Sequence, residues 1–525
     1  MKKISENSKV AKAAGVIGAA TMISRIFGLL RDVVVAALFG AGWKTDAFWI
    51  AYRIPNMLRR FLAEGSLTIS FVPVFTQYLQ KKSKQEALEL ASIVFTILSI
   101  TLVLVTLLGI LLSPFIVGLI APGFIKEAEQ FNLAVFLNRL MFPYIFFVAL
   151  LALCMGILNA FRHFAAPALS PVMLNIAMIG AAFTLRDCFA EPITALAIGV
   201  IIGGALQLAM QWPFLVKFGV KLKLKVDLQH PGIRKIGILL VPAIFTASVN
   251  TVNVFVGSIL ASLLPSGSIT YLFYADRVME LPVGVFAIAL GTATLPSFSR
   301  HAADNNVDEL KSSISFSLRL MLFLIIPASF ALMALSQPII FVLFQRGAFD
   351  PQAAILTSQA LVFYTLGLWA FSVHRIFISS FYSLQDSKWP MKAAIISFVV
   401  NLIASLALMY PMKHNGLALA SSLAVMSNVI ILAWVLKKKI GKFVDKAFCV
   451  SLSKTILSSI IMLLSIMLVD HYISWNMMSE FVDKLLYLVI SISVGASVFF
   501  ISAYLLGSRE IHALVNLVKK RLSSP

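Results

Sequence analysis

The sequence has little charge and almost no cysteine. Only 13% of its 525 residues are charged and 60% are hydrophobic, whereas soluble globular proteins are about 25% charged. Its three cysteines, Cys154, Cys188 and Cys449, are scattered and never in CxxC spacing, which argues against a disulfide framework or a metal site. The apolar residues form runs of roughly 20 or more. This pattern predicts an all-α polytopic membrane protein and excludes a soluble enzyme with one large core.

Catalytic and cofactor motifs are absent from the sequence as well. It contains no G-x-x-x-x-G-K-[ST] P-loop, its seven histidines are isolated without H-E-x-x-H spacing, and no paired acidic cluster suggests a metal-dependent transferase. We therefore expect no catalytic residues, no metal and no ATP. The energy for any transport would come from the membrane potential or an ion gradient.

Acidic residues are also scarce, because 23 Asp and Glu face 43 Lys and Arg, a net charge of +20. In a soluble protein that excess would suggest nucleic-acid binding. Here most basic residues lie in short links between apolar segments, where they favour a membrane topology and can attract anionic lipid headgroups. We predict membrane lipids as partners and no nucleic acid.

About fourteen apolar segments are long enough to span a bilayer. The first follows a basic N-terminus and is too long for a signal peptide, so we expect a retained helix. Several segments exceed the roughly 20 residues that a span needs, which predicts tilted or protruding helices. The predicted spans are 11–42, 46–80, 87–121, 131–159, 165–186, 191–217, 232–264, 268–300, 311–345, 353–384, 389–411, 414–437, 447–470 and 482–507.

Basic residues alternate between the links. Links after even-numbered spans include the lysine-rich stretches 81–84, 217–235 and 437–442, whereas a link after an odd-numbered span has at most one clear basic residue, such as Lys44 or Lys126. By the positive-inside rule, both termini are predicted to lie in the cytoplasm. An even number of spans is consistent with that placement.

An internal repeat divides the chain. Residues 51–75 align with residues 275–298 with one gap, and these stretches belong to the second and eighth spans, which run in the same direction. Parallel repeats of six spans are typical of transporters. The predicted domains are an N-lobe (1–217), a basic cytoplasmic linker (218–235), a C-lobe (236–438), and the last two spans with the cytoplasmic C-terminus (439–525).

Charged residues interrupt these apolar spans. The first span contains the stretch SRIFGLLRD (24–32), although an arginine near the centre of a spanning helix costs on the order of 2.5–3.5 kcal/mol. On a helix Ser24 and Arg31 share a face, with Arg25 and Asp32 on an adjacent one. The second and eighth spans and the link before the second add Lys44, Asp46, Arg53, Arg59, Arg60, Glu64, Asp276, Arg277 and Glu280.

Arginines outnumber acidic residues in the first lobe. Five arginines in its first two spans face only Asp32, Asp46 and Glu64, which leaves about two positive charges unmatched. A transported anion would supply the missing negative charge, and arginine suits a planar, bidentate partner such as phosphate. The alternative is structural, since neighbouring charges can lock helices together and neutralise one another: Arg31–Asp32, Arg60–Glu64 and Asp276–Arg277–Glu280.

Several motifs resemble those of the MurJ (MviN) lipid II flippases, over essentially the whole chain. In the first lobe they are Ser24-Arg25-Ile26-Phe27-Gly28 with Arg31-Asp32, Phe39-Gly40-Ala41-Gly42, Thr45-Asp46-Ala47-Phe48, Pro55-Asn56, Leu58-Arg59-Arg60, Ala63-Glu64-Gly65 and Phe71-Val72-Pro73. In the second lobe they are Tyr274-Ala275-Asp276-Arg277 with Glu280, Ala289-Leu290-Gly291-Thr292, Leu295-Pro296, Phe344-Gln345-Arg346-Gly347 with Phe349, and Phe381-Tyr382-Ser383 with Asp386 and Pro390.

The resemblance implies a fourteen-helix fold of the multidrug/oligosaccharidyl-lipid/polysaccharide exporters in a bacterial inner membrane. It also implies movement of lipid II, the undecaprenyl-pyrophosphate-linked peptidoglycan precursor, to the periplasmic leaflet for cell-wall synthesis, with the cell-wall machinery as a further partner. Some relatives hold sodium in the second lobe, but its ligands have no match here. The implied cavity residues are Arg25, Arg31, Arg59, Arg277, Ser24 and Thr270, and the implied gating or ion-pair residues are Asp32, Asp46, Arg60, Glu64, Asp276 and Glu280.

Two of these positions depart from a relative's pattern. Thr270 stands where a relative has serine, and Arg53 stands where a relative has lysine and is left out of the core site. In the expected mechanism the two lobes rock about the cavity, arginines bind pyrophosphate, and the last two spans offer an apolar groove for the prenyl tail.

Other functions remain open on the sequence alone. One is export of a different lipid-linked oligosaccharide on the same fold, because a pyrophosphate site recognises only the shared headgroup. A membrane enzyme acting on prenyl phosphates would need a catalytic acid, base or metal cluster, and none stands out. A drug exporter would need unmatched acidic residues rather than arginines, and a scaffold protein would need no buried arginines.

Overall fold

The computed structural model describes residues 6–59, 67–473, 475, 478 and 480–511. Every extended regular element among them is helical, as expected for an all-α protein. The first ten helices are α1 (Glu6–Phe39), α2 (Trp43–Arg59), α3 (Thr68–Lys81), α4 (Lys84–Leu111), α5 (Ser113–Ile120), α6 (Ala128–Met141), α7 (Tyr144–Ala160), α8 (Ala165–Thr184), α9 (Thr194–Lys217) and α10 (Pro231–Ser262).

Ten further helices complete the described chain. They are α11 (Ser268–Pro282), α12 (Ile288–Ala303), α13 (Val307–Ala334), α14 (Ser336–Phe344), α15 (Pro351–Leu366), α16 (Leu368–Ser383), α17 (Lys388–Met412), α18 (His414–Ile440), α19 (Lys446–Ile473) and α20 (Phe481–Leu505).

Each predicted span coincides with one helix or with two consecutive helices. The longest predicted spans are broken rather than simply tilted: α4 ends before the Ser113-Pro114 start of α5, and a π turn over 283–287 separates α11 from α12. α15 and α16 bend by 42° at Gly367. Two of these breaks contain proline or glycine. Pro114 at the start of α5 lacks a backbone donor, and Gly367 between α15 and α16 lets α18 approach closely at Ser422.

The helices have the length and composition of a multi-pass membrane protein. Among the described residues nine helical stretches, one of them α6 together with α7, are long and apolar enough to cross a bilayer, or ten if the bent pair α15–α16 counts as one span. The total of fourteen spans therefore stays a prediction.

The chain packs into two compact units. The first comprises residues 1–270 with 347–349, and the second comprises 271–346 with 350–525. Within the first unit α10 packs against α3, α4 and α5, although the predicted lobe boundary assigns most of α10 to the C-lobe. The lobe boundaries themselves stay a prediction.

Small residues bring the helices of the first unit into close contact. α8 and α9 lie against each other, and a Cβ atom on Gly203 would fall 2.9 Å from the Leu174 Cα. A Cβ on Gly199 would fall equally close, 2.9 Å, to the Met178 Cα. Membrane helices commonly use such small-residue interfaces, because lipid leaves them no hydrophobic force to associate.

The second unit has a core that includes the last two helices. Phe323 of α13 packs with Phe499 of α20, and Met462 and Ile466 of α19 belong to the same buried cluster. The opposite faces of α19 and α20 expose large apolar side chains, including Leu464, Leu468, Leu486 and Leu505. An outward apolar face of this kind suits lipid, and the groove for a prenyl tail stays a prediction.

Local sequence accounts for how two helices of the second unit begin. Asp350 caps α15, its Oδ1 accepting the Ala353 N–H at 2.7 Å, with Pro351 at the first helical position. α18 begins at His414, and a Cβ on Gly416 would lie 2.3 Å from the Leu408 carbonyl oxygen, so only glycine permits this approach.

Candidate functional site

Arg31 and Asp32 form a buried ion pair in α1. Their side chains are 5% and 1% exposed, and the Arg31 Nη2 and Nε donate to Asp32 Oδ1 at 2.6 and 2.9 Å. The Arg31 Nη1 also donates to Asn175 Oδ1 on α8 at 3.1 Å. An unpaired charge buried to this extent would destabilise the fold by several kcal/mol. Arg31 and Asp32 avoid that cost because they pair with each other and Arg31 also bonds to the Asn175 amide.

Arg25 has a different environment from Arg31. It is half-buried, and within the described part of the chain it has no hydrogen-bond or ion-pair partner. The neighbouring Ser24 is also half-buried, and its carbonyl accepts a hydrogen bond from Asn175 Nδ2 at 3.4 Å. Asn175 therefore contacts both the α1 backbone beside Arg25 and the guanidinium of Arg31.

Asp46, an expected gating residue, contacts Thr270, an expected cavity residue. The Asp46 carboxylate is 2% exposed, and its Oδ1 accepts hydrogen bonds from the Thr270 N–H at 2.9 Å and the Thr270 hydroxyl at 2.6 Å. Its Oδ2 accepts the Gly267 N–H at 2.7 Å. The carboxylate thus occupies the N-terminal turn of α11, where free N–H groups and the helix dipole favour an anion. In this arrangement the Thr270 hydroxyl is buried and donates to Asp46.

The motif glycines Gly40 and Gly347 lie at a close backbone contact in the first unit. The Ala348 N–H donates to the Ala37 carbonyl at 2.8 Å, and both glycines have positive φ angles, +66° and +57°. A Cβ on Gly40 would lie 2.4 Å from the Ala348 oxygen, and one on Gly347 would lie 2.2 Å from the Ala37 oxygen. Only glycine fits at either position, which explains why these motifs contain it.

Arg53 and Arg59 of α2 each donate a hydrogen bond to a neutral side chain. Arg53 Nη1 donates to the Ser258 hydroxyl of α10 at 2.6 Å, and Arg59 Nε donates to Asn56 Oδ1 at 2.9 Å. The predicted residues Arg60 and Glu64 lie outside the described residues.

Three predicted residues of α11, Asp276, Arg277 and Glu280, lie in the second unit. Arg277 Nη1 approaches Glu280 Oε2 at 3.4 Å, and its guanidinium lies 5.2 Å from the Phe273 ring centroid. The side chains of Arg277 and Glu280 are 40% and 54% exposed, so this ion pair contributes at most about 1 kcal/mol. Asp276 and Glu280 line a cavity of about 520 Å³ between α11, α12 and α16, together with His374, Arg375 and Ser379.

The structure groups the described site residues into three sets. In the first unit Ser24, Arg31 and Asp32 meet Asn175, and Asp46 meets Thr270; in the second unit Asp276, Arg277 and Glu280 lie together on α11. The convergence of Arg25, Arg31, Arg59 and Arg277 on one cavity stays a prediction.

Sequence reasoning missed several partners of these residues. Asn175 could have been noticed, because it is the one amide in the apolar stretch of α8. Ser258, His374 and Arg375 gave no comparable signal, since a serine or an isolated basic residue in a helix has no motif of its own.

Comparisons with known proteins give a consistent result. The profile of the family described as Lipid II flippase MurJ matches residues 35–486. A probable lipid II flippase MurJ from Buchnera aphidicola subsp. Schizaphis graminum is 35% identical over 509 residues, which cover 96% of this chain and 98% of the relative.

Solved structures show the same similarity. A structure titled "Lipid II flippase MurJ, inward closed conformation" superposes with a TM-score of 0.78 at 29% identity, over 93% of this chain and 98% of that one. An inward-facing multidrug resistance MATE transporter of the MOP superfamily superposes with a TM-score of 0.66 at 14% identity, over 82% of this chain and 98% of that one. At this identity the second comparison shows a shared fold only.

Proposed function

The chain belongs to the lipid II flippase family MurJ, and on that premise we propose that it carries lipid II across the bacterial inner membrane from the cytoplasmic to the periplasmic leaflet. It is a transporter rather than an enzyme. Lipid II contains a pyrophosphate between its prenyl chain and its sugars, so the substrate has an anionic group that must enter a largely apolar environment. The protein needs to compensate that charge inside the membrane.

The observation that carries the proposal is the contrast between Arg25 and Arg31. Both lie in α1, but Arg31 is neutralised by Asp32 whereas Arg25 has no acidic partner among the described residues. A half-buried guanidinium without a counter-ion favours binding of an anion, and a pyrophosphate offers the planar sets of oxygens that arginine binds in pairs. Arg59 and Arg277 are added to this site on the family resemblance, as are Ser24 and Thr270 as lining residues, and Thr270 would line it only after its hydrogen bond to Asp46 breaks.

Asp46 serves as the gating residue in this proposal. Its carboxylate joins residues on either side of the predicted lobe boundary, since Gly267 and Thr270 belong to the predicted C-lobe (236–438), and both contacts lie within the first compact unit. Alternating access would require such contacts to break and form as the cavity opens. Asp32, Arg60, Glu64, Asp276 and Glu280 are proposed as the other ion-pair or gating residues.

The remaining features of the proposal follow from the sequence. The basic links after even-numbered spans favour cytoplasmic N- and C-termini. The exposed apolar faces of α19 and α20 favour contact with the prenyl tail, and the cell-wall synthesis machinery is the expected partner that uses the product. Without a P-loop in the sequence, the membrane potential or an ion gradient is the expected energy source.

Depletion of the protein in its host tests this function. Lipid II should then accumulate on the cytoplasmic leaflet, and the wild-type chain should restore its exposure on the outer leaflet. A chain with Arg25, Arg31, Arg59 and Arg277 all replaced by alanine should fail to restore it, whereas Arg186→Ala, an exposed arginine paired with Asp187, should succeed. Undiminished exposure with the fourfold variant would refute the anion site.

A further inference from the structure

The link between α9 and α10 is not a free loop. Residues 221–228, which we call the strap, are non-helical and run along α4, and a turn begins at Leu228. The Lys223 N–H donates to the Ser92 hydroxyl at 3.2 Å, and the Lys225 N–H donates to the Thr96 hydroxyl at 3.0 Å. The Thr96 hydroxyl also lies 3.4 Å from the Lys223 carbonyl. Two hydroxyls of one helix thus bind the backbone of the strap.

These contacts place the strap beside a membrane helix. α4 has 28 residues, about 42 Å at about 1.5 Å per residue, so it is longer than the roughly 30 Å hydrocarbon core and its first turns reach the headgroup layer. Ser92 lies about 12 Å and Thr96 about 18 Å from the start of that helix. Where lipid excludes water a backbone N–H needs a protein acceptor, and the two hydroxyls supply one to the strap.

The side chains of the strap alternate in character. The N–H groups of Lys223 and Lys225, two residues apart, both bond to α4, as in an extended chain, where every second side chain points to the same side. Leu224 and Val226 are 84% and 61% exposed, and Leu228, in the turn that follows, is 70% exposed. The lysines at 221, 223 and 225 occupy the other register, and the Lys225 ammonium contacts the Glu89 carboxylate of α4. Three large apolar side chains exposed within five residues form a surface that water would not favour.

Neighbouring parts of α4 show what environment that surface has. Beyond Thr96 the helix exposes Ile100, Val103, Leu104 and Leu107, as a lipid-facing helix does. Ile100, Val103 and Leu107 follow Thr96 at helical spacing, on the face of α4 to which the strap is bound, and the lysines carry the positive charge that anionic headgroups attract.

We propose that the strap is a membrane-surface anchor, in which Leu224, Val226 and Leu228 insert at the boundary between headgroups and acyl chains while Lys221 and Lys223 contact lipid phosphates. The ligand is the bilayer itself, enriched in anionic phospholipid at this point. The anchor holds the basic linker (218–235) against the first unit. This role is additional to the cytoplasmic placement that the charge of the linker predicts.

Single-cysteine labelling of the full-length protein tests the anchor. Lys223→Cys, Leu224→Cys, Lys225→Cys and Val226→Cys are each made with Cys188 and Cys449 replaced by serine, and buried Cys154 left in place. A small environment-sensitive fluorophore is attached in vesicles of phosphatidylethanolamine and phosphatidylglycerol. Lipids with a nitroxide near the top of the acyl chain should quench positions 224 and 226 several-fold more than 223 and 225, and aqueous iodide should show the reverse order.

Two results would overturn the proposal. Equal iodide quenching at all four positions would mean that the strap lies in water. Protection of 224 and 226 from iodide without quenching by the nitroxide lipid would mean that protein covers them, either a second copy or a partner that pairs with the extended backbone.

A matched pair of hydroxyl variants tests the attachment to α4. Thr96→Val removes the acceptor for the Lys225 N–H. The ratio of nitroxide quenching at positions 224 and 226 to that at 223 and 225 should then fall below about two-fold, whereas Thr96→Ser should keep the wild-type ratio. Thr101→Val is the control, because the Thr101 hydroxyl lies on the same helix and bonds only to the Ile97 carbonyl. An unchanged quenching ratio in Thr96→Val would contradict the hydrogen-bonded attachment of the strap to α4, on which the proposal rests.

Discussion

Asp46→Asn is the substitution that most sharply tests the contact between α2 and the start of α11. The carboxylate accepts three hydrogen bonds in a site that is 2% exposed. Asparagine has one carbonyl oxygen, so it can keep the Thr270 contacts but then turns an amide N–H₂ toward the Gly267 N–H. The loss is one hydrogen bond to a charged group together with an unsatisfied buried donor, about 2–4 kcal/mol.

Hydrogen exchange of the peptide 266–271 measures this loss directly. A change of 2–4 kcal/mol corresponds to a roughly 30-fold to several hundred-fold increase in the opening constant, so the Gly267 amide should exchange faster by a similar factor. Thr270→Ser should leave exchange near the wild-type rate because it keeps the hydroxyl, and Thr270→Val should have an intermediate effect.

Asp445→Asn is the control for this experiment, since Asp445 caps α19 through the Phe448 N–H and has no contact with this site. A less than two-fold change in exchange for Asp46→Asn would refute the reasoning that the carboxylate holds this turn.

Three further predictions concern ion pairs and close contacts. Arg31→Ala should destabilise the protein by about 3–5 kcal/mol because it leaves Asp32 buried without a counter-ion, and the double variant Arg31→Ala/Asp32→Ala should recover much of that loss; a double-mutant cycle on thermal unfolding checks this, and additive effects would contradict it. Gly40→Ala and Gly347→Ala should each lower the melting temperature, because a Cβ would overlap the Ala348 or Ala37 oxygen, whereas Gly42→Ala, with no atom within 4 Å, should have little effect. Burial alone would raise the pKa of the Asp386 carboxyl, but the hydrogen bond from Lys439 and the Trp389 and Lys388 N–H groups outweigh it and lower that pKa below its usual 3.8. The stabilisation by Asp386 is therefore complete above about pH 4 and is lost as pH falls through the lowered pKa, so the difference in melting temperature between wild type and Asp386→Asn should shrink on acidification; a constant difference would argue against the ion pair.

Features that depend on neighbouring residues were predictable from the sequence. The apolar segments place the helices, and the sequence Asp350-Pro351 marks the start of α15 because capping is a local interaction. The charged stretch SRIFGLLRD could be recognised as a polar interruption, and the pairing of Arg31 with Asp32 was one of its two stated alternatives.

Features that depend on distant residues were not predictable in this way. Asp46 and Thr270 are separated by 224 positions, and no local pattern connects a carboxylate to the first turn of a helix so far along the chain. The same holds for Asn175, which lies 144 positions from Arg31. The strap is an intermediate case: the alternation in KLKLKV is visible in the sequence, but only the hydroxyls of α4 show that it is attached to a membrane helix.

Transport by the purified protein in liposomes tests the central claim most directly. Fluorescent lipid II placed in one leaflet should become accessible to a membrane-impermeant quencher on the other side when the wild-type chain is present. Arg25→Gln should reduce the initial rate at least about tenfold, equivalent to about 1.4 kcal/mol of lost interaction with the anionic headgroup, and Arg186→Gln should not change it. Equal rates for wild type and Arg25→Gln would contradict the claim that Arg25 binds the pyrophosphate.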